Sequence, residues 1–135
     1  MLTVYPESMI YLFGPLVGLA DEGMNLDVRL RPSIVNEQVV KQIYESELRA
    51  NFSTLDPRLQ SACKLSLRYV LNASDFNYKR EFESLLPPFD CPEEPRNAFL
   101  WLWEVLFPGE QPAPLAEPFE VDRRSSVARY VLEGY

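Results

Sequence analysis

Residues 96–110 read RNAFLWLWEVLFPGE, and from Ala98 to Phe107 only Glu104 is polar. No other stretch constrains the fold as strongly, because so apolar a segment must be covered on nearly every side. Read as a strand, it would carry Phe99, Trp101, Trp103, Val105 and Phe107 on one face and Leu100, Leu102, Glu104 and Leu106 on the other. Read as a helix, it is apolar almost all round and has to be buried by its own domain or by a partner. Periodicity fits both readings. The flanks favour a helix: Glu93, Glu94 and Pro95 place acids at the positive helix end and a proline in the first turn, and Pro108-Gly109 ends it. A helix over 96–107 would be about 18 Å long. Its expected place is the centre of the core. The alternative leaves one edge exposed, with Trp101 or Trp103 as an anchor for a partner. Trp103, beside Glu104 near the end of the run, is expected to be the more exposed of the two.

Several amphipathic segments could cover such a helix. Residues 36–50 put Val39, Val40, Ile43, Tyr44 and Leu48 on one face, with Asn36 or Ser33 as cap. Residues 57–72 follow Asp56-Pro57, an acidic cap with proline at the first helical position, and line up Leu59, Ala62, Cys63, Ser66, Leu67 and Val70. Residues 76–86 turn Phe82, Leu85 and Leu86 inward, and residues 123–133 form a last helix with Val127, Tyr130 and Val131 inward. Residues 9–22 read as an interrupted helix, because the Pro15 ring breaks any helix begun earlier. NLDVRLRP alternates Leu26, Val28 and Leu30 with Asp27, Arg29 and Arg31, a half-buried strand ended by Pro32. LTVY and PFEV are its pairing candidates. The expected fold is mainly α: a single globular domain over 1–135, of about five helices, with a small two- or three-stranded sheet from residues 2–5, 26–31 and 118–121.

Absences bound the chemistry. The chain has no histidine, which removes Ser-His-Asp and Cys-His nucleophile systems and His-containing zinc and iron sites. Cys63 and Cys91, 28 positions apart with no CxxC, make neither a thiolate zinc site nor a disulfide framework. Cys63 falls on an apolar helix face, and acidic neighbours of Cys91 disfavour a thiolate. None of the five glycines begins a phosphate-binding loop. The close acid pairs are Asp21-Glu22, Glu81/Glu83 and Glu93-Glu94; adjacent residues on a helix do not face one another, which makes the first and last poor acid/base pairs. Neither a catalytic residue nor a cofactor or metal is expected. Met9–Ala20 resembles a signal-peptide core, but the residues before it include Glu7 and no Lys or Arg. No apolar run approaches the ~20 residues that cross a bilayer.

Charge is unevenly placed. The net charge of −7 argues against general nucleic-acid binding. Residues 81–120 hold nine acids against Arg96 alone, whereas residues 51–80 hold five bases and two acids. Either the two regions pack together and offset each other, or the acidic one steers onto a basic partner. Glu104, inside the apolar run, must reach the rim, pair with an arginine, or meet a partner's base. Lys64 and Arg68, one turn apart, could form a small anion site. The expectation is a cytoplasmic, non-catalytic, acidic protein-binding module, with Glu93, Glu94, Trp103, Glu104 and Glu110 at the interface. Immunity proteins, antitoxins and phage inhibitors that neutralise a basic toxin or nuclease are the nearest class. A small-ligand-binding protein or enzyme with an aromatic pocket, and a structural or adaptor subunit, are the alternatives. Neither nucleic acid nor membrane is an expected partner, and a homo-oligomer stays open.

Overall fold

Asp56 and Pro57 begin the longest helix, as the sequence requires. The Asp56 carboxylate accepts the Arg58 N–H at 2.9 Å and Pro57 fills the first helical position, where a missing N–H costs nothing. The chain is described here from a computed structural model that covers residues 2–17, 36–85, 87 and 91–123. Within them the fold is mainly α with a small sheet. Strand β1 is Leu2–Val4; helix α1 is Met9–Leu12, between 3-10 turns at Pro6–Ser8 and Gly14–Leu16. Helix α2 (Glu37–Ile43) passes through a π-helical segment, Tyr44–Leu48, into α3 (Arg49–Thr54). Then come α4 (Pro57–Asn72), α5 (Tyr78–Ser84), α6 (Asn97–Leu106) and strand β2 (Phe119–Val121). The strand predicted over 26–31, the end of the helical run predicted over 9–22 and all but Arg123 of the helix predicted over 123–133 lie outside the described residues.

The helical segments follow their apolar faces. In α2 and the π-helical segment Val40, Ile43, Tyr44 and Leu48 are buried, and Asn36 caps the start by accepting the Val39 N–H at 3.0 Å. This helix continues to Thr54, beyond the predicted 50. In α4, Leu59, Cys63, Ser66, Leu67 and Val70 are buried, joined by Leu71. Helix α5 begins two residues later than its predicted span, because Asn77 supplies the cap, accepting the Arg80 N–H at 3.1 Å; Phe82 is buried as expected, and Leu86 lies outside the described residues. Pro15 sits in the second 3-10 turn, after α1 has already ended.

The apolar run is a helix and lies at the centre. α6 touches α2, the π-helical segment, α3, α4 and α5, and Ala98, Phe99, Trp101, Leu102, Trp103 and Val105 are buried among them. Phe99 meets the rings of Phe13, Phe76, Tyr78 and Phe82, joining the N-terminal turns, the α4–α5 connection and α5 in one aromatic cluster. Tyr44, fully buried, donates its hydroxyl to the Ala98 carbonyl at 2.9 Å, which ties the π-helical segment to the first turn of α6.

The two strands, at opposite ends of the described chain, pair in parallel with Leu2 opposite Phe119 and Val4 opposite Val121. β1 is held on α4 by Ser66, whose hydroxyl accepts the Tyr5 N–H at 2.8 Å and donates to the Ala62 carbonyl at 2.6 Å. Among the described residues no helix is long and apolar enough to cross a membrane.

Candidate functional site

The acids of residues 81–120 divide into two sets. Glu81, Glu104 and Glu110 each hold a cation of the same chain. Arg123 bridges Glu81 at 3.2 Å and Glu7 at 2.9 Å. Lys41 reaches Glu104 at 3.4 Å and Glu37 at 2.9 Å, and the Glu37 hydrogen bond, with Glu104 behind it, raises its ammonium above the ordinary value. Lys64 bonds Glu110 at 2.8 Å and lies over the Phe107 ring. Glu83, Glu93, Glu94, Glu117 and Glu120 meet no cation among the described residues. All five are exposed. Asp90 lies outside the described residues, as do Asp21 and Glu22.

Of the residues expected at an interface, Glu93 and Glu94 occupy the turn that enters α6 and face solvent; the Glu94 carbonyl accepts the Asn97 N–H. Glu104 is also exposed: it reaches the rim, one of the alternatives open to it, and meets Lys41 there rather than an arginine. Glu110 is engaged by Lys64. Trp103 corrects the expectation outright: it is 1% exposed against 8% for Trp101, so it is the more buried of the pair and presents no surface to a partner. The reason is its neighbours. The Trp103 indole N–H donates to the Glu110 carbonyl at 2.8 Å, and its ring packs 4.7 Å from that of Phe107, so the chain after α6 folds back over it.

That returning segment is the feature patterning did not reveal. The Arg68 guanidinium donates to the Ala113 and Pro114 carbonyls, and the Asn72 amide donates to the Pro112 carbonyl at 2.7 Å. A proline-rich stretch with few amides of its own to bond is thus strapped onto α4 by side chains that donate to its carbonyls. Lys64 and Arg68, whose spacing suggested a small anion site, both engage this strap, Lys64 through the Glu110 carboxylate and Arg68 through the two carbonyls.

Beyond the strap lies a cleft of about 300 Å³ between α4 and β2. Tyr69 and Phe119 form its aromatic wall, edge to face at 5.3 Å, with Ser74, Asp75 and Leu115 around them. Partial burial raises the Tyr69 hydroxyl above its ordinary value, the nearby Asp75 carboxylate adds to this, and Arg123 opposes it. The mouth therefore combines a ring face with a negative charge. Phe119 and Val121 are large apolar side chains of β2 that are nevertheless exposed, at 39% and 42%.

The cysteines behave as packing residues. Cys63 is fully buried in α4, and burial pushes its thiol up to about 12. Cys91 is half-buried, and burial, then Glu83, raise its thiol while Lys79 opposes. Both are free. Alkylation of the native protein at pH 8 is expected to modify Cys91 slowly and leave Cys63 untouched until denaturant is added. Mass spectrometry of both states checks this, and native labelling of Cys63 would contradict it. Among the described residues no group of three acids or cysteines is placed to hold a metal ion. Compared with protein-family models, curated proteins and solved structures, the chain matches none of them.

Proposed function

We propose that this chain is a non-catalytic, acidic protein-binding module that works inside the cell by neutralising a basic partner, as immunity proteins, antitoxins and phage inhibitors do to toxins and nucleases. The observation that supports it is the set of exposed acids, Glu83, Glu93, Glu94, Glu117 and Glu120, that meet no cation among the described residues. Exposed acids of one sign raise the association rate of a basic protein and make it salt-dependent. The chain also has no histidine with which to run the commonest acid–base chemistry.

Capture from a cell extract at low salt, followed by association kinetics for each retained protein, tests the proposal. The triple reversal Glu93→Lys, Glu94→Lys, Glu117→Lys is the informative variant; Glu110 is left alone because it holds Lys64. Expected is a basic protein whose activity the wild type inhibits, whose on-rate falls about tenfold or more on reversal, and whose salt dependence flattens. Retention of no basic protein, or an on-rate indifferent to the reversal, would overturn it.

A further inference from the structure

We propose that the outer edge of β2 takes up an extended basic segment of a partner protein as an added strand, with one lysine or arginine side chain of that segment entering the cleft formed by Tyr69, Phe119 and Asp75. The proposal rests on reading the chain as a binder of basic proteins, and it names where and in what conformation the partner docks. Backbone direction comes first. Leu2 N–H donates to the Pro118 carbonyl and Asp122 N–H to the Val4 carbonyl. Main-chain groups alternate sides along a strand, so Pro118, Glu120 and Asp122 face β1 while the N–H and C=O of Phe119 and Val121 face away from it. Among the described residues the sheet has two strands, and none of those residues pairs with these outward groups. Such an edge is a template for a further strand.

The surroundings select the occupant. On one face of β2 the exposed side chains of Phe119 and Val121 offer apolar surface, and Phe119 leads into the cleft with Tyr69 and Asp75. A cation there meets ring faces and a carboxylate together. On the opposite face Glu120 accepts the Thr3 hydroxyl and meets no cation among the described residues, and Glu117 precedes the strand. The nearby bases are turned elsewhere: Arg123 to Glu7 and Glu81, Arg68 to the strap carbonyls. A second copy of this chain is a poor occupant, because its own Glu117 and Glu120 would be set against the same acids.

The test uses a capped Lys-Val-Arg-Val-Lys-Val peptide with the full chain, read by amide NMR shifts and amide exchange. Two control peptides accompany it: one with glutamate for each basic residue, and one N-methylated at alternate positions, which keeps its charge but cannot complete a ladder. Expected are shifts at Phe119, Val121, Tyr69 and Asp75, with exchange at the Phe119 and Val121 amides slowed about tenfold or more. Neither control should bind. V121P deletes an outward N–H and no bond to β1, as an edge strand tolerates, so it should abolish binding while the melting temperature holds. D75K should weaken binding about tenfold. Three results overturn the proposal: no binding of the peptide, equal binding of the N-methylated peptide, or Phe119 and Val121 amides already protected in the free protein. If a captured basic partner is nevertheless lost on reversal of Glu93, Glu94 and Glu117, the acidic-binder reading stands and only the strand docking falls.

Discussion

Trp103→Ala is expected to cost about 3–5 kcal/mol of folding stability, enough to unfold a marginal domain whose total is about 5–15 kcal/mol. Three losses combine. A large ring 1% exposed leaves a cavity that α6 cannot close, because several elements pack against it. The Phe107 ring loses its neighbour at 4.7 Å. The Glu110 carbonyl loses the indole N–H at 2.8 Å, and with it the first tie of the strap. Trp103→Phe keeps part of the ring and loses the hydrogen bond, so a smaller loss is expected, of which about 1 kcal/mol belongs to the bond. Urea unfolding followed by far-UV circular dichroism measures both, and Trp101 remains as a fluorescent reporter. Iodide should quench neither tryptophan of the wild type appreciably. If Trp103→Ala left the melting temperature in place and weakened partner binding instead, Trp103 would be an anchor and the packing described here would be wrong.

How far this was legible in the sequence depends on the range over which each feature is decided. Helix α4 was readable almost to the residue, because its cap, its proline and its apolar face are all local. α6 was readable as a helix from Glu93, Glu94, Pro95 and Pro108-Gly109, not from its interior, where strand and helix templates fit equally. Which of its tryptophans is shielded was not readable. In a helix apolar all round, exposure is set by what packs against it, and the shield over Trp103 comes from Phe107, Glu110 and the strap. The strap itself has no period to detect: its hydrogen bonds come from Arg68 and Asn72, about 40 residues earlier in sequence. The same holds for Glu104. Its isolation in the apolar run required an outward or paired carboxylate, but that Lys41 would meet it depended on α2 lying against α6. The acids of residues 81–120 resolve into both readings at once, some offset within the chain and some left exposed, because composition counts charges without locating them.

Phe99→Ala is expected to lose a similar amount, about 3–5 kcal/mol, and to lose it everywhere at once. Phe99 is fully buried, and its ring meets Phe13 and Phe76 at 5.6 Å, Tyr78 at 5.6 Å and Phe82 at 6.5 Å. Most of these contacts are edge to face, the arrangement in which an aromatic pair contributes about 0.5–1.5 kcal/mol beyond its buried area. The partners come from far apart in the chain, Phe13 after α1 and Phe82 within α5. One side chain on α6 therefore holds two peripheral segments to the centre. Truncation should lower the urea midpoint without changing the slope of the transition, since the surface exposed on unfolding is nearly the same. Phe99→Leu fills part of the space but offers no ring edge, so it should fall between alanine and wild type. Far-UV circular dichroism and tryptophan fluorescence should shift together. Separate midpoints in Phe99→Ala, or a loss below about 1 kcal/mol, would mean that α1 and α5 are secured by contacts other than this cluster, and that the centre of the fold lies elsewhere on α6.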